Sequence, residues 1–137
     1  MDQTDYLILQ ELEQNSRITM KELGRKVHLT GQAATARVQK LEDQGIIDKY
    51  TVRKSYEKLG FPVHAFIQVF TQSPDHAKYL AFIEKQSTNI VQHVKTTGEA
   101  CYMLETRFTS HDDLNTFLEN LSSYAQYKTA TVIKALL

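Results

Sequence analysis

The spacing of apolar residues changes partway along this 137-residue chain, and that change limits what it can fold into. Up to about Gly45 the apolar residues recur at helical intervals, and after Phe61 short strand-like runs alternate with two helical ones. The change falls near Ser55–Pro62, where Gly60 and Pro62 act as punctuation. A chain of this length holds two small domains as readily as one medium one. The expected division is residues 1–54, a linker over 55–62, and residues 63–137.

Three helices are expected in the first part. Asp2 can cap the first, which runs to about Gln14 before Asn15-Ser16 breaks it, and Asp5 supports the positive end of its dipole. Thr19 with Glu22 three residues later matches a capping box for the second, whose inward stripe is Met20, Leu23 and Val27. After a tight turn through His28-Leu29, Thr30 caps a third helix to about Gln44. Its inward stripe is Ala34, Val38 and Leu41, and Gly45 stands where a left-handed C-terminal cap belongs.

Three short helices with a tight turn between the last two form a helix-turn-helix, the arrangement that presents a helix to the DNA major groove. The outward side of the third helix shows Gln32, Ala33, Thr35, Ala36, Gln39 and Lys40, with Arg37 on the flank. A glutamine can bond adenine through two hydrogen bonds, threonine can bond a base or phosphate, and alanine can touch a thymine methyl. Thr30, Arg37 and Lys40 suit phosphate. A plain helical bundle with a polar outer face also fits these spacings.

Charge distribution adds to this reading. The chain is formally neutral, with 16 Lys and Arg against 16 Asp and Glu, which is unlike a uniformly basic DNA-binding domain. Residues 1–16, however, carry four acids and no base, while residues 17–40 carry six bases against Glu22 alone. Lys49, Arg53, Lys54 and Lys58 stand against Glu57 in the next basic stretch. Local stretches of this kind can act as an electrostatic footprint, or can be solvated helix faces. Ile46–Arg53, rich in β-branched and aromatic residues, is expected as a strand or small hairpin that makes the domain winged and brings Lys49, Arg53 and Lys54 to the DNA backbone.

In the second part, Val63–Thr71, Ile90–Thr96, Ala100–Thr109 and Gln126–Ala135 are expected as strands. One helix should start at Ser73-Pro74 and bury Ala77, Leu80 and Ile83, and another at Ser110 should bury Leu114, Phe117, Leu118 and Leu121. The order βαββαβ is the ferredoxin-like layout, so the fold class is α+β. Val63, Ala65, Ile67 and Val69 lie on one alternation of the first strand, and Phe66 and Phe70 on the other. Apolar residues on a sheet face that no helix covers point to a homodimer made sheet to sheet.

Several chemistries have no support. His28, His64, His76, His93 and His111 fall on different elements without metal-ligand spacing, so no metal is expected. Cys101 sits within a strand, and Asp112-Asp113 suits a helix N-terminus better than acid–base catalysis. There is no phosphate loop or dinucleotide fingerprint, and no catalytic residue or cofactor is expected. No apolar run approaches the roughly 20 residues of a membrane span. The lone cysteine and the polar, acidic N-terminus fit a cytoplasmic protein with no membrane partner, and the DNA-binding reading would make it nucleoid-associated.

The chain resembles the Lrp/AsnC (leucine-responsive, or feast/famine) regulators over nearly its full length. The resemblance is carried by Glu22-Leu23-Gly24-Arg25-Lys26-Val27-His28-Leu29-Thr30, Arg37-Val38-Gln39-Lys40-Leu41-Glu42, Gly45-Ile46-Ile47 with Tyr50, and Lys58-Leu59-Gly60. In the second half it is carried by Gly98-Glu99-Ala100-Cys101-Tyr102-Met103-Leu104 and Thr131-Val132-Ile133. It implies a winged helix-turn-helix ahead of a ferredoxin-like domain that dimerises and binds an amino-acid effector. It also implies double-stranded DNA as partner, assembly beyond the dimer, often to octamers, and bending or wrapping of DNA. The helix-turn-helix falls on residues 22–41. The effector region falls on Gly98, Glu99, Ala100, Cys101 and Tyr102, with Tyr124 and Gln126 from a neighbouring loop. Cys101 is a departure: the family usually has an aspartate there, and a thiol is a poor partner for an ammonium group.

The expectation is therefore a sequence-directed DNA-binding transcription regulator that responds to an amino acid. Two alternatives stay open: an architectural DNA-bending protein without effector, and a ligand-sensing subunit that binds another protein.

Overall fold

A computed structural model describes residues 1–137, which divide into two compact units, Met1–Arg53 and Lys54–Leu137. The first is all helical: α1 (Gln3–Gln14), α2 (Met20–Val27) and α3 (Gly31–Asp43). Each begins at a side-chain cap read from the sequence. Asp2 accepts from Asp5 N–H and Asp5 returns the bond to Asp2 N–H, a full capping box. Thr19 accepts from Glu22 N–H, but that box is only half made, because the Glu22 carboxylate turns to Arg25 instead. Thr30 accepts from Ala33 N–H at 3.1 Å.

The core of this unit is Ile8, Leu12, Leu23, Val27, Ala34, Val38 and Leu41, with Met20 only partly covered beside it. Each buried Leu, Ile or Val contributes roughly 1.5–3 kcal/mol. The α2–α3 turn is tight because His28 takes a left-handed conformation (φ 62°) and Leu29 N–H bonds Gly24 O at 2.8 Å. A Cβ on Gly24 would lie 2.5 Å from Leu29 O, so only glycine lets the turn come this close. Gly45 (φ 72°) ends α3 in the left-handed cap, and Ile46 N–H returns to Leu41 O at 3.0 Å.

The strand expected over Ile46–Arg53 is not formed. A strand needs a neighbour for its N–H and C=O groups, and the chain supplies none here. The side chains show the same: Tyr50 is half exposed and Val52 is 79% exposed.

The second unit is a four-stranded antiparallel sheet in the order β2-β3-β1-β4, with β1 (Val63–Phe70), β2 (Ile90–Lys95), β3 (Tyr102–Phe108) and β4 (Gln126–Thr131). The helices α4 (Ala77–Glu84) and α5 (His111–Leu121) bury their apolar stripes against one face. That face presents Val63, Ala65, Ile67 and Val69 from β1 and Tyr102, Leu104 and Phe108 from β3. Thr106 is the sole buried polar residue of the core, and its hydroxyl is satisfied by Ala65 O at 2.8 Å. This is the ferredoxin-like α+β arrangement.

Several boundaries differ from the sequence reading. The helix expected from Ser73-Pro74 starts at Ala77, because Ser73 Oγ bonds Asp75 N–H and Asp75 Oδ1 bonds Ala77 N–H in successive turns. Its buried stripe is Tyr79, Phe82 and Ile83, leaving Ala77 and Leu80 exposed, since the larger aromatic areas take the core side. β3 begins at Tyr102 rather than Ala100, and β4 ends at Thr131 rather than Ala135. Beyond Val132 N–H, which bonds His64 O, the last residues have no ladder partner. The segment expected as linker packs as turns in the second unit, with Phe61 N–H on Tyr56 O and the Arg107 guanidinium over the Tyr56 ring. No helix is long and apolar enough to cross a membrane.

Candidate nucleic-acid interface and ligand site

The exposed side of α3 is built by subtraction. Ala34, Val38 and Leu41 anchor one stripe in the core, which leaves Gln32, Thr35, Ala36, Gln39 and Lys40 exposed, with Ala33 partly covered. Thr35 Oγ1 donates back to Gly31 O at 2.9 Å, and Gln39 Nε2 donates to Asp43 Oδ1 at 2.9 Å. Gln32 makes no such bond and is free for a partner. Small residues around it let the helix approach closely.

Arg37 has a different occupation from the phosphate grip expected of it. Its Nη1 donates to Asp2 Oδ2 at 2.6 Å and to Asp5 Oδ1 at 3.2 Å, so it ties α3 to the start of α1. The guanidinium holds the Asp2 carboxyl below the usual aspartate range. Arg25 and Lys26 are also paired, with Glu22 and Glu11. The unpaired cations of this unit are Arg17, Lys21, Lys40, Lys49 and Arg53.

Lys21 was not singled out by sequence reasoning. Its Cα would lie 3.4 Å from a Cβ on Gly31, which sets it beside the N-terminus of α3, where helix dipole and ammonium together favour phosphate. The readable signal was the geometry of the motif, in which the helix before the reading helix crosses the DNA backbone. Tyr50 OH donates to Glu42 Oε1 at 2.8 Å and folds the 46–53 segment back toward α3; burial and that carboxylate push the phenol upward.

In the second unit, a hollow of about 700 Å³ opens beside the turn between β2 and β3. Thr96 N–H and Oγ1 close the turn onto Cys101 O and Ala100 O, and Gly98 (φ 95°) makes the reversal. Of the expected effector residues, Glu99 and Ala100 line the hollow and Gly98 forms the tip of its turn. Lys95, Lys128, Gln68, Phe70 and Met103 join them from all four strands, and sequence reading had no signal for these because they meet only through sheet pairing.

Cys101, Tyr102, Tyr124 and Gln126 are not on that wall. Tyr102 faces the helices instead, where its hydroxyl meets His76 Nδ1 at 2.8 Å, because the alternation of β3 puts it with Leu104 in the core. Thr71 Oγ1 donates to Cys101 Sγ at 3.2 Å and meets His76 Nε2 at 2.8 Å. The donor order thus runs from Tyr102 OH to His76 Nδ1, then from His76 Nε2–H to Thr71 and on to Cys101. The Thr71 hydroxyl, with the Lys95 charge behind it, lowers the Cys101 thiol pKa. Tyr124 stacks on Phe82 with ring centroids 5.0 Å apart, and Gln126 pairs with Phe70 in the ladder.

A helix-turn-helix unit followed by a ferredoxin-like unit with a solvent-facing sheet is the build of a DNA-binding regulator. Residues 1–48 match the model of a winged helix-turn-helix DNA-binding domain, and residues 64–137 match that of the Lrp/AsnC ligand-binding domain. The chain belongs to the Lrp/AsnC family of transcriptional regulators. It is 45% identical over 133 residues to the HTH-type transcriptional regulator LrpA of Bacillus subtilis, covering 97% of this chain and 98% of that protein. The solved structure of B. subtilis LrpC superposes with a TM-score of 0.90 at 34% identity, covering 99% of this chain and 96% of that one. A transcriptional regulator from Neisseria meningitidis, solved as a complex with L-Met, superposes with a TM-score of 0.89 at 31% identity, covering 100% and 92%.

Proposed function

We propose that α3 enters the major groove and reads sequence through Gln32, Thr35 and Gln39, with Ala33 and Ala36 against thymine methyls. Thr30, Lys21, Lys40 and Arg17 hold phosphates beside it, and Lys49 and Arg53 reach the flanking backbone. The single observation that carries this is the exposed, unbonded Gln32 between free cations on a helix whose start is fixed by the Thr30 cap. Residues 1–54 act as the reading domain, joined through 55–62 to a domain at 63–137 that pairs two copies through the open sheet face. Two-fold pairing sets two α3 helices on half-sites about one helical turn apart. The protein acts at the chromosome in the cytoplasm. The hollow beside Gly98–Ala100 holds an amino acid, a reading supported by the ligand-binding-domain match and by the L-Met complex of the N. meningitidis relative.

Selection from random double-stranded DNA tests the reading role. An enriched motif with two-fold symmetry is expected, with Gln32→Ala relaxing one or two positions per half-site at a cost of about 1–3 kcal/mol. Selection that enriches no motif sinks sequence reading and leaves only phosphate binding.

A further inference from the structure

The hollow at the β2–β3 turn has a charge balance that discriminates among ligands. Resting on the reading of this hollow as the amino-acid site, we infer that it takes an acidic amino acid, with two carboxylates, in preference to one with a neutral side chain.

Lys95 and Lys128 both line the hollow, and neither ammonium has a carboxylate partner anywhere in the chain. Glu99 is the one acid on the wall. A neutral amino acid brings one ammonium and one carboxylate, which Glu99 and one lysine satisfy, and the other lysine stays unmatched. An acidic amino acid brings a further carboxylate for that second lysine. Charge-assisted hydrogen bonds of this kind are about twice as strong as neutral ones.

The backbone of the turn works in the same direction. The N–H groups of Thr97, Gly98, Glu99 and Ala100 donate to no other group of the chain, whereas those of Thr96 and Cys101 are both bonded. Consecutive free N–H groups at a glycine reversal favour an oxygen anion. Phe70 and Met103 supply an apolar floor for the ligand's methylenes, and Lys128 Nζ stands over the Phe70 ring, 5.5 Å from its centroid. A volume of about 700 Å³ admits any single amino acid, so charge rather than size makes the selection.

Isothermal titration calorimetry of the full chain with each of the twenty amino acids, L-glutamate, L-aspartate, L-methionine and L-lysine being the decisive four, tests this. One of the two acidic amino acids is expected to bind at least about tenfold tighter than methionine. Lys95→Gln and Lys128→Gln should each weaken that ligand by about tenfold while leaving the weaker methionine affinity within about twofold. Methionine or lysine binding tighter than both acidic amino acids overturns the inference and leaves the amino-acid site standing. No binding by any of the twenty amino acids removes both. If Lys128→Gln dissociates the assembly without ligand, yet leaves the acidic ligand's affinity unchanged, the lysine belongs to a subunit contact and the inference falls.

Discussion

Arg37 Nη1 lies 2.6 Å from Asp2 Oδ2, which joins the middle of α3 to the residue that caps α1. The same guanidinium reaches Asp5 Oδ1 at 3.2 Å. Asp2 and Asp5 use their other oxygens to cap each other's backbone N–H groups, so one pair of carboxylates closes the capping box and the interhelix tie together. Its place on the flank of the third helix pointed to Arg37 as a phosphate contact, yet its charge is already matched inside the unit.

A salt titration separates the two roles. Lys40→Gln removes an unpaired surface cation, so the slope of log K against log salt should flatten by about 0.9 per lost phosphate contact. Arg37→Gln should lower affinity by loosening α3 while the slope stays as in the parent protein. Fluorescence anisotropy on one operator fragment between roughly 50 and 200 mM salt measures both. A flattened slope for Arg37→Gln would mean that the arginine leaves Asp2 for phosphate on binding.

Acid should act on the same cluster. The folded state holds Asp2 below its ordinary value of 3.8 through the Arg37 hydrogen bond. A depressed carboxylate contributes stability that is fully present above the unfolded value and is lost as pH falls through the folded one. Thermal unfolding followed by far-ultraviolet circular dichroism should therefore show a decline below pH 3.8 to which this group contributes. In Asp2→Asn the neutral-pH stability should drop toward the acid value and that part of the decline should vanish. An unchanged acid limb in the variant would remove Asp2 from the cause.

How legible each part was depended on how local its physics is. Helix starts at Asp2, Thr19, Thr30 and Ser110 were readable because a cap is a bond between a side chain and a backbone group three residues on. The buried residues of α2 and α3, Leu23, Val27, Ala34, Val38 and Leu41, followed from period alone. Ile46–Arg53 misled because β-branched residues report a preference that only a neighbouring strand can satisfy. The start of α4 misled because Ser73-Pro74 is a good helix opening that Asp75 pre-empts with its own turn. The resemblance groups Tyr102 with the effector residues; one step along a strand reverses the face, so its side chain lies in the core and does not line the hollow. Lys95 and Lys128 were invisible as a pair because β2 and β4 are the two outer strands, joined only through β3 and β1.

Gly24 offers a test of the turn that sets α3 in place. An added Cβ would stand 2.5 Å from Leu29 O and 2.9 Å from Thr30 O, both backbone atoms with no rotamer to yield. Gly24→Ala, favourable by helix propensity alone, should instead destabilise the unit by about 1–3 kcal/mol through overpacking. Urea unfolding measures the loss, and DNA affinity should fall with it because α3 must shift from α2. A Gly24→Ala protein as stable as the parent would show that the turn can open at little cost.

The uncovered sheet face carries the last prediction. Phe66, 41% exposed, lies in register with Glu105 on β3 and Ala130 on β4 on the uncovered side of the sheet. Phe66→Lys places an ammonium opposite Glu105, whose carboxylate already meets His64 Nε2 at 2.7 Å, on a face that is open in the single subunit, so the folded subunit tolerates it. Two such subunits meeting face to face would bury that charge, a cost of several kcal/mol. Light scattering after size exclusion should then report monomers, with the circular dichroism spectrum of the parent retained. Affinity for a two-half-site operator should fall by roughly 10²-fold or more, because the second α3 is no longer held at high effective concentration. Affinity for a single half-site should stay unchanged. Dimers that persist in Phe66→Lys with full operator affinity would place the joint between copies elsewhere on the chain.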